Sequence, residues 1–106
     1  MPYEKGSIHV SLVAIPDVML SSLIGIFDVL NCFELLATFD KALPEKNPFH
    51  TEIIAQSREH NRTASGLPIA AHRTIEELDH TDIIIIPSMM VENSEWKKGR
   101  YPAIVR

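Results

Sequence analysis

The chain has one cysteine, Cys32, so it forms no internal disulfide and suits a reducing compartment, which makes the cytoplasm the expected location. Glycine is also scarce. The four glycines are scattered and none opens a helix after the first apolar segment, which excludes a glycine-rich phosphate cradle. No apolar run approaches the roughly 18 residues of a membrane span, and Met1-Pro2-Tyr3-Glu4-Lys5-Gly6 lacks the basic-then-apolar order of a secretory signal. Basic charge is in short supply, 10 Lys and Arg against 14 Asp and Glu, for a net charge of -4. With no basic cluster, this chain alone is a poor nucleic-acid binder. Lys97, Lys98 and Arg100 beside Trp96 and Tyr101 make one short patch, read as a local surface cluster. The five histidines, His9, His50, His60, His72 and His80, show no metal-ligand spacing, so neither a metal site nor a cofactor is expected. There is no internal repeat and no low-complexity tract.

What remains is an ordinary globular composition. Of 106 residues, 45% are apolar and 23% charged, enough for one real core and no more than one domain. The most informative stretch is Thr81-Asp82-Ile83-Ile84-Ile85-Ile86-Pro87. Four successive isoleucines do not alternate with polar residues, so both sides require cover. That pattern predicts a central strand of a parallel sheet, with functional groups in the loop that leaves it, Ser88-Met89-Met90.

Earlier in the chain, Ile8–Ile15 reads as a β-branched strand closed by Pro16-Asp17. Ser21 or Ser22 is a candidate cap for a helix carrying Leu23, Ile24, Phe27 and Leu30 and running to about Thr38. Leu-Pro and Asn-Pro steps make residues 39–49 a loop. A second strand is expected over Thr51–Ser57, a polar turn at Arg58–Asn61, a tight hairpin or a short crossing excursion around Gly66, and a short helix over Thr74–Leu78. Cys32 falls among helical apolar positions and reads as a buried thiol. Beyond Met90 the pattern weakens, and Tyr101–Arg106 resembles barely one turn of a helix. The expected fold is therefore α/β: a partial flavodoxin-like open parallel sheet with helices on both faces, a truncated domain over residues 1–106.

If the first strand and the isoleucine strand are neighbours, the loops leaving them converge. Asp17, Ser22, Ser88 and Met89 then edge a candidate ligand cleft, with two hydroxyls and the Met89 N–H turned to a small molecule. The alternative is that the serines cap helices and the methionines fill core. No base is placed to activate either serine, so catalysis is not expected.

Four segments carry a resemblance. Ile8–Ile15 with Pro16-Asp17, Ile24-Gly25-Ile26-Phe27-Asp28-Val29-Leu30, Ser65-Gly66-Leu67-Pro68-Ile69 and Thr81–Pro87 together resemble the amino-terminal half of the ThiJ/PfpI-like, class I glutamine-amidotransferase-like domain. The version at the front of AraC-type transcriptional regulators, with a helix-turn-helix module behind it, is more narrowly similar. The resemblance covers nearly the whole chain. It implies an acidic residue three positions before Gly25, leaning on a nucleophilic cysteine in the enzymatic and chaperone-like members; Ser22 stands there. It implies Pro-Gly-Gly after the isoleucine strand, where this chain has Pro87-Ser88-Met89. The family's nucleophile elbow belongs downstream of Arg106, and Cys32 does not occupy it. The resemblance thus implies a non-catalytic, ligand-sensing and dimerising domain that would touch DNA only through a module outside these residues. The alternative it leaves is part of a ThiJ/PfpI-type hydrolase or stress protein with altered site residues.

Overall fold

The computed structural model describes residues 3–90; the Trp96 and Tyr101–Arg106 assignments lie outside them. The first strand, β1 (Tyr3–Val13), begins earlier and ends earlier than expected. Gly6, at φ +80, accompanies a register irregularity between Tyr3 and Ile8. After Val13 the chain leaves the sheet through buried Ala14 and Ile15, then turns at Asp17, a non-glycine residue at φ +71.

Helix α1 (Leu20–Leu30) is capped at Met19 with no side-chain bond, not by either serine. The Ser22 and Leu23 N–H groups donate to the Met19 carbonyl, both at 3.1 Å. Packing holds this helix. Leu20, Leu23, Ile26 and Phe27 recur at helical spacing and pack with Leu12, Ile53 and Ala55 of the sheet. The expected continuous helix to Thr38 is broken at Asn31. Its side chain donates back to the Phe27 carbonyl at 2.8 Å, and α2 (Phe33–Ala37) starts afresh from Cys32. Cys32 is half-buried at this junction, its thiol on the Val29 carbonyl, and is no core residue.

Strand β2 (Asn47–Ala55) starts inside the segment expected to be loop. Asn47 explains this. It is fully buried, bonds Asn31 across to α1, and accepts from the Phe49 N–H, fixing the strand's entry. The expected hairpin is present, with Asn61 and Ile69 exchanging two 3.0 Å backbone bonds around Gly66 at φ +89. The helix expected over Thr74–Leu78 is replaced by β3 (Arg73–Thr74) and a single turn. Thr74 and Glu77 form a reciprocal capping box, so the helix-start signal was real, but Thr74 is committed to the sheet beside Ala55.

Strand β4 (Ile83–Ile85) completes an all-parallel, four-stranded sheet of order β3-β2-β1-β4. Among the described residues β1 and β2 are central and the isoleucine strand is an edge, with Ile84 58% exposed. Its apolar run matches the need for cover, not a central place already filled. Omitting short β3, the strands lie in the order second, first, third. The connections therefore reverse at β1, and a parallel α/β sheet opens a crevice at such a switch point, beyond the carboxyl ends of β1 and β4.

Candidate functional site

At that switch point the structure joins the two loops expected to converge. Met19 N–H donates to the Ser88 carbonyl at 2.7 Å, and Met90 N–H to the Asp17 carbonyl at 2.9 Å, so Val18 and Met89 form an antiparallel bridge. On its other side Val18 bridges Thr63, and Ala64 N–H donates to the Val18 carbonyl at 2.9 Å. Val18 and Thr63 are fully buried, and the Thr63 hydroxyl donates to the Leu67 carbonyl at 2.6 Å. The hairpin thus backs the site, a contact the sequence reading did not foresee.

Ser22 projects from the first turn of α1 toward the loop after β4, where its Oγ accepts the Ser88 N–H at 3.3 Å. This single bond bears on both readings of the serines. Ser22 caps no helix; it caps the strand-exit loop. The backbone donor next to Pro87 is satisfied inside the protein. Met89 is half-buried and packs on the core, as do many methionines, while Ser88 and Met90 are exposed. Asp17, Ser22, Ser88 and Met89 therefore do come together, as a knitted rim whose outward groups are the Ser88 side chain and Met90.

A second polar constellation lies lower in the sheet, and the sequence reading missed it. In the parallel register His9 stands beside His50 and Ser11 beside Glu52, so all four share one face of the β1/β2 pair. His50, which falls between the expected loop and the expected strand, lies within β2. His9 Nε2 sits 2.6 Å from Glu52 Oε1 and His9 Nδ1 2.8 Å from Thr81 Oγ1. Ser11 donates to Thr81 at 2.8 Å, and Arg73 Nε donates to Glu52 Oε2 at 3.0 Å. Glu52 is buried. Burial alone would push its carboxyl up, but the His9 bond, with the charge and bond of Arg73 and the charge of His50, holds it below the ordinary carboxylate range. Burial lowers the His50 imidazole; the Glu52 charge opposes this, and His9, Arg73 and His72 add to the lowering. The only sequence signal was the matched alternation His-x-Ser and His-x-Glu, which carries meaning once the register is known.

No family model matches the chain, and no curated protein matches it in sequence. Solved structures do resemble it. An oxidized Toxoplasma gondii DJ-1 aligns at a TM-score of 0.55 and 17% identity, over 79% of this chain and 40% of that one. An AraC family transcriptional regulator from Pseudomonas putida aligns at a TM-score of 0.58 and 14% identity, over 84% of this chain and 51% of the regulator. The chain thus spans about half or less of the length of these neighbours. At such identities the likeness is one of fold, a DJ-1/PfpI-like α/β sheet.

Proposed function

We propose that this chain is part of a non-catalytic sensor domain of an AraC-type transcriptional regulator. It would take up a small-molecule effector at the switch-point rim and associate with a second copy. DNA would be contacted by a module outside these residues. The observation that supports this over a hydrolase or stress protein is Ser22. It stands where the resemblance calls for an acid, and its hydroxyl accepts the Ser88 N–H, a donor that an acyl-transfer site would turn toward its substrate. Neither an acid at the Ser22 position nor that donor is on offer here. The fold likeness to the Pseudomonas putida regulator is compatible with the reading and does not by itself choose it.

Amide spectra of the chain, titrated with a panel of sugars, amino acids and small carboxylic acids, test the proposal. A ligand of this site shifts the Ser22, Ser88 and Met89 amides together, and the same compounds undergo no turnover. Hydrolysis of glutamine or of an activated ester by the chain, lost in Ser22→Ala, would overturn it.

A further inference from the structure

We propose that His9, His50 and Glu52 form a binding site for a divalent transition-metal ion of the Zn2+ class, clipping β1 to β2. Each contributes one ligand atom, and the three atoms lie within 4.8 Å of one another. The parallel register builds the site, with the two imidazoles side by side on neighbouring strands and the carboxylate two residues further along the same face. Two imidazoles and one carboxylate oxygen suit Zn2+ and its neighbours better than Mg2+ or Ca2+, which prefer all-oxygen shells. A solvent molecule would take the fourth position, the one the protein leaves open.

The ligand atoms, within 4.8 Å of one another, must rearrange locally to meet one ion. Around a tetrahedral ion with bonds of about 2.0–2.1 Å, ligand atoms stand about 3.3 Å apart. His9 Nε2 and Glu52 Oε1, now 2.6 Å apart, would separate slightly, while His50 Nε2, 3.8 Å from the same oxygen, would approach. Arg73 occupies Oε2 and so leaves Oε1 as a single-oxygen ligand; its charge lowers the affinity without blocking the ion.

Thr81 supplies the feature a chance cluster would lack. His9 must give its Nε2 lone pair to the ion, so its proton must reside on Nδ1. Thr81 Oγ1 lies 2.8 Å from Nδ1, and 3.3 and 3.2 Å from the His9 and Ile83 carbonyl oxygens, to which its hydroxyl can donate. The hydroxyl can donate to Nδ1 while Nε2–H bonds Glu52, or turn to a carbonyl and accept from Nδ1–H when the ion binds. Either tautomer is satisfied. Outer-shell bonds of this kind orient metal-ligating histidines and are worth about 10–100-fold in affinity.

Chelator-treated protein titrated with Co2+ tests the site, with Zn2+ measured by competition. The expected result is one Co2+ per chain with the visible absorption of four-coordinate cobalt, displaced by Zn2+. His50→Asn should lower affinity at least about tenfold and Thr81→Val by about 10–100-fold. His60→Asn and His80→Asn, which alter exposed histidines outside the cluster, should change nothing. Imidazole nitrogen NMR provides a readout independent of variant folding: Zn2+ should move the His9 proton from Nε2 to Nδ1. Absence of binding, binding insensitive to His50→Asn, or an unchanged His9 tautomer in the Zn2+-saturated protein would each overturn the proposal.

Discussion

Individual side chains carry sharper consequences than the fold around them. Thr51 is buried with its hydroxyl unpartnered among the described residues, beside Val10 in the parallel register. A desolvated hydroxyl without a bond is a cost, and valine has nearly its shape. Thr51→Val should therefore stabilise the protein by about 1 kcal/mol in urea denaturation; a loss of stability would show that the hydroxyl has a partner after all. Asp17 sits at φ +71, where aspartate is tolerated and β-branched residues are not. Asp17→Val should cost about 1–2 kcal/mol in the same experiment. Ser22→Ala removes the acceptor of the Ser88 N–H at an exposed edge and should cost about 1 kcal/mol, read in the same experiment.

At the scale of elements, the β1/β2 pair makes stability depend on pH. The folded protein holds the His50 imidazole below its ordinary 6.5, so the unfolded chain binds more protons in the window just under that value. Stability is complete above about 6.5 and falls as the pH drops through the window to the folded value. Glu52 is depressed below its ordinary carboxylate value, so its contribution is present above that value and is lost as pH falls through the lowered one. Glu77, drawn down to about 2 by Arg58 and the Thr74 backbone N–H, follows the same direction at still lower pH. Urea midpoints measured with chelator present should show two declining stages on acidification, the first beginning just under the ordinary imidazole value. His50→Asn should flatten that first stage and weaken the second, because the His50 charge helps hold Glu52 down. A flat profile from pH 7 to the carboxylate range would contradict this account. The elements also show why local signals mislead. Thr74 and Glu77 carry a genuine helix-start pattern, but pairing of Arg73 and Thr74 with β2 takes the chain into the sheet, and only one turn of the pattern is realised.

Over the whole molecule, the notable surface is the isoleucine edge. Ile83, Ile84 and Ile86 are 41%, 58% and 50% exposed among the described residues, so a run that demands cover on both sides has incomplete cover. Large contiguous apolar surface on a sheet edge favours association. Sedimentation velocity should find the wild-type chain oligomeric and the Ile84→Lys/Ile86→Lys variant shifted toward monomer. A monomeric wild type with sharp, cooperative unfolding would remove the basis for self-association.

The amino-acid sequence by itself determined the class of this protein. Uninterrupted apolar runs specify parallel strands covered by helices, and Pro, Gly and Asp residues mark where those strands stop. It also identified Asp17, Ser22, Ser88 and Met89 as neighbours, because a parallel sheet brings successive strand exits to one edge. The tertiary structure decided the rest. Whether Ser22 caps a helix or a loop depends on a contact 66 residues away. Whether β4 is central or an edge depends on which strands lie beside it. The His9–His50–Glu52 cluster depends on strand register, since a one-residue slip would send one strand's members to the opposite face. Local pattern reports what each segment prefers to bury, while pairing between distant segments decides which polar groups end up face to face.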